Sequence, residues 1–539
     1  MNMPSRGGHG GVWMHSVPKW FRFETQFIAG SEYDNPIQEN GFEADFVSPS
    51  GRKTTVSGFW DGGRTWKVRF SPDETGEWTY RTRCSTSPDS GLENQTGRFT
   101  CVPYQGDNPL LQHGSVRVSS NRRHLIHDNS LPFFFLADTA WNGPLLSTEA
   151  DWEKFLTDRQ GKGFNVIQFV PTQWLCSAGN AEGRQACYGR ERIVVDPEFF
   201  RRLDDRIDAI NAHGMVAAPV LIWAATWNRD ALHLNPGTFL PDDQILLLVK
   251  YFVARYGSHH VLWFLAGDGD YRGDLAERWR RIGREAFGIG QKRLASTHPG
   301  GLMWCGDEFR SEPWFDFIGY QSGHSSKMED LRWLIQGPPA SDWKKEPVKP
   351  FINIEPNYEA HRDWNVNLPF GDREVRRAAY WSLLVHPPAG VSYGAHGIWS
   401  WETRPSIPMN HTGTGIARPW FEGIHLPGSA CMKILKEFFT SLEWWKLEPA
   451  PELLAVQPGE TDPALHIAVA KAEDDSFCLA YVPAGGGIEL KPENVSGFKA
   501  RFWFNPRTGE RIESVNRDGN LFPTPDDSDW LLYINRLIN

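Results

Sequence analysis

From residue 12 to about 104 the chain alternates short β-prone runs with turns rich in Gly, Pro, Asp and Asn. The runs are FRFETQFIA, FEADFVSPSG, TTVSGFWDGG, WKVRFSPDETGEWTYRTRC and GRFTCV, and no 3.6-residue apolar period passes through them. An antiparallel β-sandwich is predicted there. From about 105 to 440 the texture changes to apolar strands separated by amphipathic helices, the pattern of parallel βα units. After about 445 short strands return as LLAVQ, LHIAVAKAE, FCLAYVP, FKARFWFNP and DWLLYIN, which predict a second small sandwich. The domain reading is therefore 1–104, 105–444 and 445–539.

The middle segment yields to counting. Its strand candidates are 132–138, 164–170, 215–222, 260–266, 293–298, 315–321, 350–355 and 390–395. Helix candidates lie between them, with one short irregular stretch near 301–313 in place of the fifth. Eight strands and eight crossings predict a (β/α)₈ barrel. A doubly wound sheet is the rival, but ADTAWNGP stands where a Gly-rich phosphate loop would follow the first strand. The fold class expected is thus α/β, a TIM barrel flanked by two antiparallel β-sandwiches.

Composition narrows the function. A chain of 539 residues exceeds one core, and 40% hydrophobic with 23% charged residues argues against disorder. The formal charge of −10, without a long basic run, makes nucleic acid a poor partner. No apolar stretch approaches the roughly 18 residues of a membrane span, and MNMPSRGGHGGVW lacks the pattern of a secretory signal. The chain as given is expected in the cytoplasm, or in the periplasm or outside the cell if a signal had been removed. Seven Cys do not form a disulfide framework, although Cys84 with Cys101 and Cys176 with Cys187 are the pairs open to bridging in an oxidising compartment. The 25 Trp change the picture most, because sugar rings stack on flat aromatic faces.

In a (β/α)₈ barrel the chemistry lies at the carboxyl ends of the strands. Read in order, these carry Asp138 and Trp141; Gln168, running toward Trp174; Trp223, Trp227 and Asn228; Asp268 and Asp270; His298; Tyr320 and Gln321; Glu355; and His396, with Trp399, Trp401 and Glu402 beyond. Two carboxylates across a Trp-rich cavity suit glycosidic bond cleavage. One protonates the leaving oxygen while the other meets the oxocarbenium-like charge or activates a water. Asp268 and Glu355 form the expected pair. Asp270 fits a turn better, and Glu359 reads as a loop or supporting residue. No His-Glu-x-x-His helix and no convincing ligand triad points to a metal, and the Gly-x-Ser-x-Gly elbow of serine hydrolases is absent. No cofactor is expected.

These residues carry a family resemblance. The run GSVRVSSNRRHLIHDNSLPFFFLADTAWNGPLLSTEADWEKFLTDRQGKGFNVIQ resembles the opening of the apiosidase-like, DUF4038-type (β/α)₈ glycoside hydrolases. WFLAGDGD, PFINIEPNYE and SYGAHGIWSW resemble that family's acid/base, nucleophile and eighth-strand segments. FSPDETGEWTYR resembles the DUF5060 sandwich, and the tail resembles the small carboxy-terminal β domain of such proteins. The resemblance implies Asp268 as acid/base and Glu355 as nucleophile, with Asp138, Trp141, Gln168 and His396 lining the sugar site. Ala137 and Ala266 depart from the glycines usual there.

The resulting expectation is a retaining, exo-acting O-glycosidase whose partner is a carbohydrate. Trp141, Trp174, Trp223, Trp227 and Trp401 would wall the pocket, with His298, Gln321 and the family positions on the sugar, and loops 172–195 and 402–425 narrowing its entrance. An inverting enzyme, a non-catalytic carbohydrate-binding or adhesion protein, a collagen-type binding role for the tail and a homo-oligomer are the alternatives carried forward.

Overall fold

The computed structural model describes residues 16–84, 88–491, 500–514 and 520–535. The amino-terminal part of the FKARFWFNP run lies outside them. Two compact units divide the chain. The first comprises Met1–Asp107 with Val253–His259 and Ile289–Gln291, and the second holds the remainder.

The first unit contains a β-sandwich. A five-stranded sheet runs in the order Ser16–Pro18, Thr96–Val102, Gly76–Cys84, Phe42–Val47 and Lys53–Ser57, and a three-stranded sheet joins Phe23–Ile28, Thr65–Phe70 and Phe59–Trp60. Strict alternation drives the packing: in FEADFV, Phe42, Ala44 and Phe46 are buried while the residues between them are not. Phe46 stacks on Phe70 at 4.2 Å and Phe23 on Phe99 at 4.1 Å, which fixes the two sheets face to face. One detail departs from the antiparallel expectation. Ser16–Pro18 pairs in parallel with Thr96–Val102.

The second unit is built on eight parallel strands: β1 (Phe135–Thr139), β2 (Val166–Phe169), β3 (Val216–Trp223), β4 (Trp263–Gly269), β5 (Ala295–Pro299), β6 (Ile318–Gln321), β7 (Phe351–Glu355) and β8 (Pro388–Gly394). The helices are α1 (Glu149–Gly161), α2 (Pro197–Ala212), α3 (Asp242–Tyr256), α4 (Asp274–Phe287), the short α5 (Gly306–Phe309), α6 (Met328–Gln336), α7 (Asp372–Leu384) and α8 (Pro427–Thr440). Ladder pairing runs β5-β4-β3-β2-β1-β8-β7-β6, the order of a (β/α)₈ barrel. The β5–β6 seam is closed by a side chain: the Ser296 hydroxyl donates to the Phe317 carbonyl at 2.8 Å and accepts from the Gly319 amide at 3.1 Å. Strands covered on both faces read as unbroken apolar runs, and β1, β2, β3, β5, β6, β7 and β8 are buried throughout. Helix starts follow capping chemistry: Thr148 accepts from the Asp151 amide before α1, and Asp196 accepts from the Glu198 amide, with Pro197 opening α2.

The same unit carries the carboxy-terminal sheet, six strands in the order Leu447–Pro449, Ala468–Ala472, Phe477–Val482, Trp530–Asn535, Ala500–Phe504 and Arg511–Glu513, and a ribbon of Ile488–Glu489 with Leu521–Phe522. In FCLAYV the side chains of Cys478, Ala480 and Val482 join Ile488 and Phe522 in one core. Tyr481, of opposite parity, stacks on Tyr380 of α7 at 4.7 Å. The sheet is therefore packed on both faces. LLAVQ is not a strand; Pro451–Leu453 forms a 3₁₀ turn followed by loop.

Candidate active site

Bulges shape the carboxyl ends of the strands. The β4–β5 register shifts between Phe264 and Gly267 and again before Gly269, and the β6–β7 register shifts between Tyr320 and Gln321. Such irregularities re-aim side chains. Asp268, between Gly267 and Gly269 in the second β4–β5 shift, has φ of 55°, a left-handed conformation that costs a non-glycine residue roughly 1 kcal/mol or more. Beyond these ends opens a cavity of about 480 Å³, within the ~300–1,000 Å³ range of small-molecule sites. Its walls are Trp141, Trp174, Trp223, Trp227, Trp364 and Trp399, and Asp268 and Glu355 are the carboxylates that face it.

A line of polar contacts runs from Asp268 toward Glu355. The Gln321 amide donates to Asp268 Oδ1 at 2.8 Å, to the Pro299 carbonyl at 2.6 Å and to His298 Nδ1 at 3.1 Å. An accepting Nδ1 places the His298 hydrogen on Nε2, which lies 3.4 Å from Glu355 Oε2, a polar contact longer than an ordinary hydrogen bond. His324 is fixed the same way. The Tyr358 amide donates to its Nδ1 at 3.3 Å, so its Nε2–H donates to Glu355 Oε1 at 3.1 Å.

The site is electrostatically tense. Burial first, and then the charge of Glu355, push Asp268 up to about 7, against hydrogen bonds from Gln321 and Trp227. Burial pushes Glu355 up to about 8, with the Tyr358 hydroxyl pulling the other way. Two carboxylates that repel in a desolvated site share a proton near neutrality. Burial drives His298 down to about 3 and His324 to about 4, so both are neutral donors there. Among the described residues no cluster of three His, Cys, Asp or Glu suits a metal ion.

Residues 119–446 match the family model described as apiosidase-like, catalytic domain. The chain belongs to the apiosidase-like family. It is accordingly a glycoside hydrolase. Residues 16–85 match DUF5060, a domain of unknown function, and 449–535 match a collagen-binding-like domain of a collagenase. A glycoside hydrolase family 5 structure from Bacteroides vulgatus is 21% identical over 81% of this chain and 96% of its own, with a TM-score of 0.69. A second structure, titled glycoside hydrolase, is 22% identical over 81% of this chain and 99% of its own, at 0.68. Both show the same fold. No curated protein matches.

The apiosidase-like barrel brings Asp268, Glu355, Trp141, Trp174, Trp223, Trp227 and Gln321 to one cavity, with His298 directly behind Glu355. Four expected sugar ligands lie elsewhere. Asp138 is fully buried, ion-paired with Arg159 of α1, and accepts from the Thr139 amide at 2.7 Å. Gln168 sits in the barrel interior, donating to Thr139 Oγ1, the Ile354 carbonyl and Ser392 Oγ. His396 is buried between the Trp399 indole and the Gly415 carbonyl, and Trp401 stacks on Trp420 at 4.8 Å. None of the four lines the cavity, so the expectation that they grip sugar is corrected. Glu359 caps α8 through the Gly428 amide. All seven Cys are free thiols, so neither candidate pair is bridged. The strand-end reading missed His324, Tyr358, Trp364 and His411, which line the cavity from loops.

Proposed function

We propose that the protein is a retaining, exo-acting O-glycosidase in which Asp268 is the general acid/base and Glu355 the nucleophile. The observation that carries this is the coupling of these two carboxylates across one tryptophan-walled cavity. Protonated Asp268 delivers its proton to the leaving oxygen as Glu355 bonds to the anomeric carbon and the glycosidic C–O bond breaks; the deprotonated Asp268 then takes a proton from a water whose oxygen bonds to the anomeric carbon as the bond to Glu355 breaks, which restores both carboxyl groups. Retention needs the carboxyl groups about 5–5.5 Å apart, against roughly 6.5–9.5 Å for inversion. Burial alone sets Glu355 above Asp268, the reverse of these roles. The His324 N–H that meets Glu355 favours its charged form, and a cationic anomeric centre beside it favours that form further. Exo action is supported by the 410–414 loop and Trp174, which wall the cavity in.

Hydrolysis of a panel of aryl α- and β-glycosides, pyranosides and furanosides, by wild type, Asp268→Asn and Glu355→Gln tests the reading. One glycoside should be cleaved, its first-formed sugar should keep the substrate's anomeric configuration by NMR, and both variants should lose roughly 10²-fold or more in kcat. First release of the opposite anomer would make the enzyme inverting, and variants that keep pace would place the chemistry on other groups.

A further inference from the structure

Outside the cavity the mouth is apolar in a way that a sugar polymer does not need. Trp227 and Trp364 both line the cavity and remain more than half exposed, so apolar faces stand at its mouth. The loops that carry Trp364 and the lining residues 410–414 also expose Val366, Leu368, Ile407, Met409 and Ile416, with Leu368 at 64% and Ile416 at 71% exposure.

Two loops hold this collar together. Arg362 pairs with Pro369 to close the hairpin that carries Val366 and Leu368, and Ser406 pairs with Ala417 so that Ile407 and Ile416 follow on adjoining strands. The Arg362 amide donates to the Thr414 carbonyl at 3.3 Å, which ties one loop to the other. Neither loop tip is charged. Between Ser406 and Ala417 there is no Lys, Arg, Asp or Glu, and between Trp364 and Leu368 the polar residues are asparagines. His411, lowered to about 4 by burial, stays neutral between Trp227 and Trp399. Aromatic faces suit sugars, but exposed aliphatic side chains offer hydroxyl groups nothing, and contiguous exposed apolar patches mark binding surfaces.

The acid fixes which side the leaving group occupies. Asp268 must stand beside the leaving oxygen, and Trp227, which lines the cavity with Asp268, packs at 5.4 Å against His411 of the loop that carries Ile407 and Ile416. We propose that this collar is an aglycone site, and that the substrates are glycosides of apolar aryl or alkyl aglycones rather than side chains of a polysaccharide. The proposal rests on the glycosidase reading above for the position of the leaving group.

Calorimetric titration of the full-length protein with 2-naphthol tests the site without turnover. Wild type should bind 2-naphthol, Leu368→Ser/Ile416→Ser should weaken binding about tenfold, and Leu275→Ser, another exposed leucine on α4, should leave it unchanged. For the sugar cleaved in the panel, the double variant should raise KM for the naphthyl glycoside and not for the methyl glycoside. Absence of naphthol binding, or equal binding by the double variant, overturns the proposal. So does a wild-type dimer by sedimentation that the double variant dissociates, or wild-type pelleting with phosphatidylcholine vesicles that the double variant loses. If no glycoside is cleaved the glycosidase reading fails on its own, and the naphthol titration still judges the collar.

Discussion

At the scale of single residues the site is held against its own preferences. Asp268 adopts a left-handed backbone that asparagine tolerates better than alanine, so Asp268→Asn removes the charge with the least disturbance. A carboxyl whose folded value is raised binds more protons folded than unfolded, so its stability contribution is full below the unfolded value and falls as pH rises through the folded one. For Asp268 and Glu355 that window runs from about 4 to about 7 and 8. Thermal melts of Asp268→Asn and Glu355→Gln should therefore show melting temperatures above wild type at pH 8, with the gap closing toward pH 4; a gap that grows toward acid contradicts the shifts. Buried His298 and His324 run the other way, losing stability as pH falls from about 6.5 toward 4 and 3, so the comparison with wild type isolates the carboxylates. The sequence made this pair legible because each ends an apolar run at a barrel mouth. It misplaced Asp138 because parity, which one strand end does not reveal, decides the direction: Thr139 faces inward to Gln168, so Asp138 faces outward to Arg159. Gln168 has the right direction and the wrong depth. His324 and Trp364 carried no local signal, since only the approach of their loops to Glu355 and to each other gives them a place.

At the scale of elements the eight strands were readable because buried parallel strands are apolar without alternation, and they appear within a few residues of the expected limits. The carboxy-terminal strands were harder. Leu447–Pro449 is three residues long and ends on a proline, and the β-prone LLAVQ loses Leu453 to the 3₁₀ turn that Pro451 opens and continues as loop. Glu359 shows how a loop residue can serve an element. Its carboxylate accepts from the Tyr393 hydroxyl at 2.6 Å and from the Gly428 amide at 3.0 and 2.9 Å, so a negative charge meets the first turn of α8. A Cβ on Gly428 would lie 2.4 Å from Glu359 Oε2. Glu359→Gln and Gly428→Ala should each destabilise the protein, the former by about 1–3 kcal/mol. In denaturant titrations the two losses should combine to less than their sum, because both break one contact. Activity per folded molecule should persist, since Glu359 does not line the cavity; additive losses, or a collapse of kcat in stable protein, would move Glu359 into the catalytic machinery.

At the scale of the whole molecule, composition indicated several packed units, while the way the tail is bound to the barrel depends on pairs remote in sequence. Arg376 of α7 meets Asp529 with two parallel bonds, Nε to Oδ2 at 2.9 Å and Nη2 to Oδ1 at 3.0 Å, and Tyr481 donates to the same carboxylate at 3.0 Å. The Trp381 indole donates to the His466 carbonyl at 2.9 Å, and Phe438 of α8 packs on Phe504 at 4.3 Å. Arg376 and Asp529 are almost wholly buried, and Arg376 keeps its pairing with Asp372 when Asp529 is removed, so the loss should fall below the about 3–5 kcal/mol of a buried charge left wholly unpaired. The helices that face the tail sheet also cover β7 and β8, the strands that hold Glu355 and the far wall of the site. A tail bound this way has to melt with the barrel. Asp529→Ala should thus lower the melting temperature of the barrel itself, with loss of tail and barrel structure in one transition in calorimetry and of activity at the same temperature. Two resolved transitions, the upper one retaining turnover, would show instead that the tail unfolds independently and that the arginine–aspartate pair stabilises it alone.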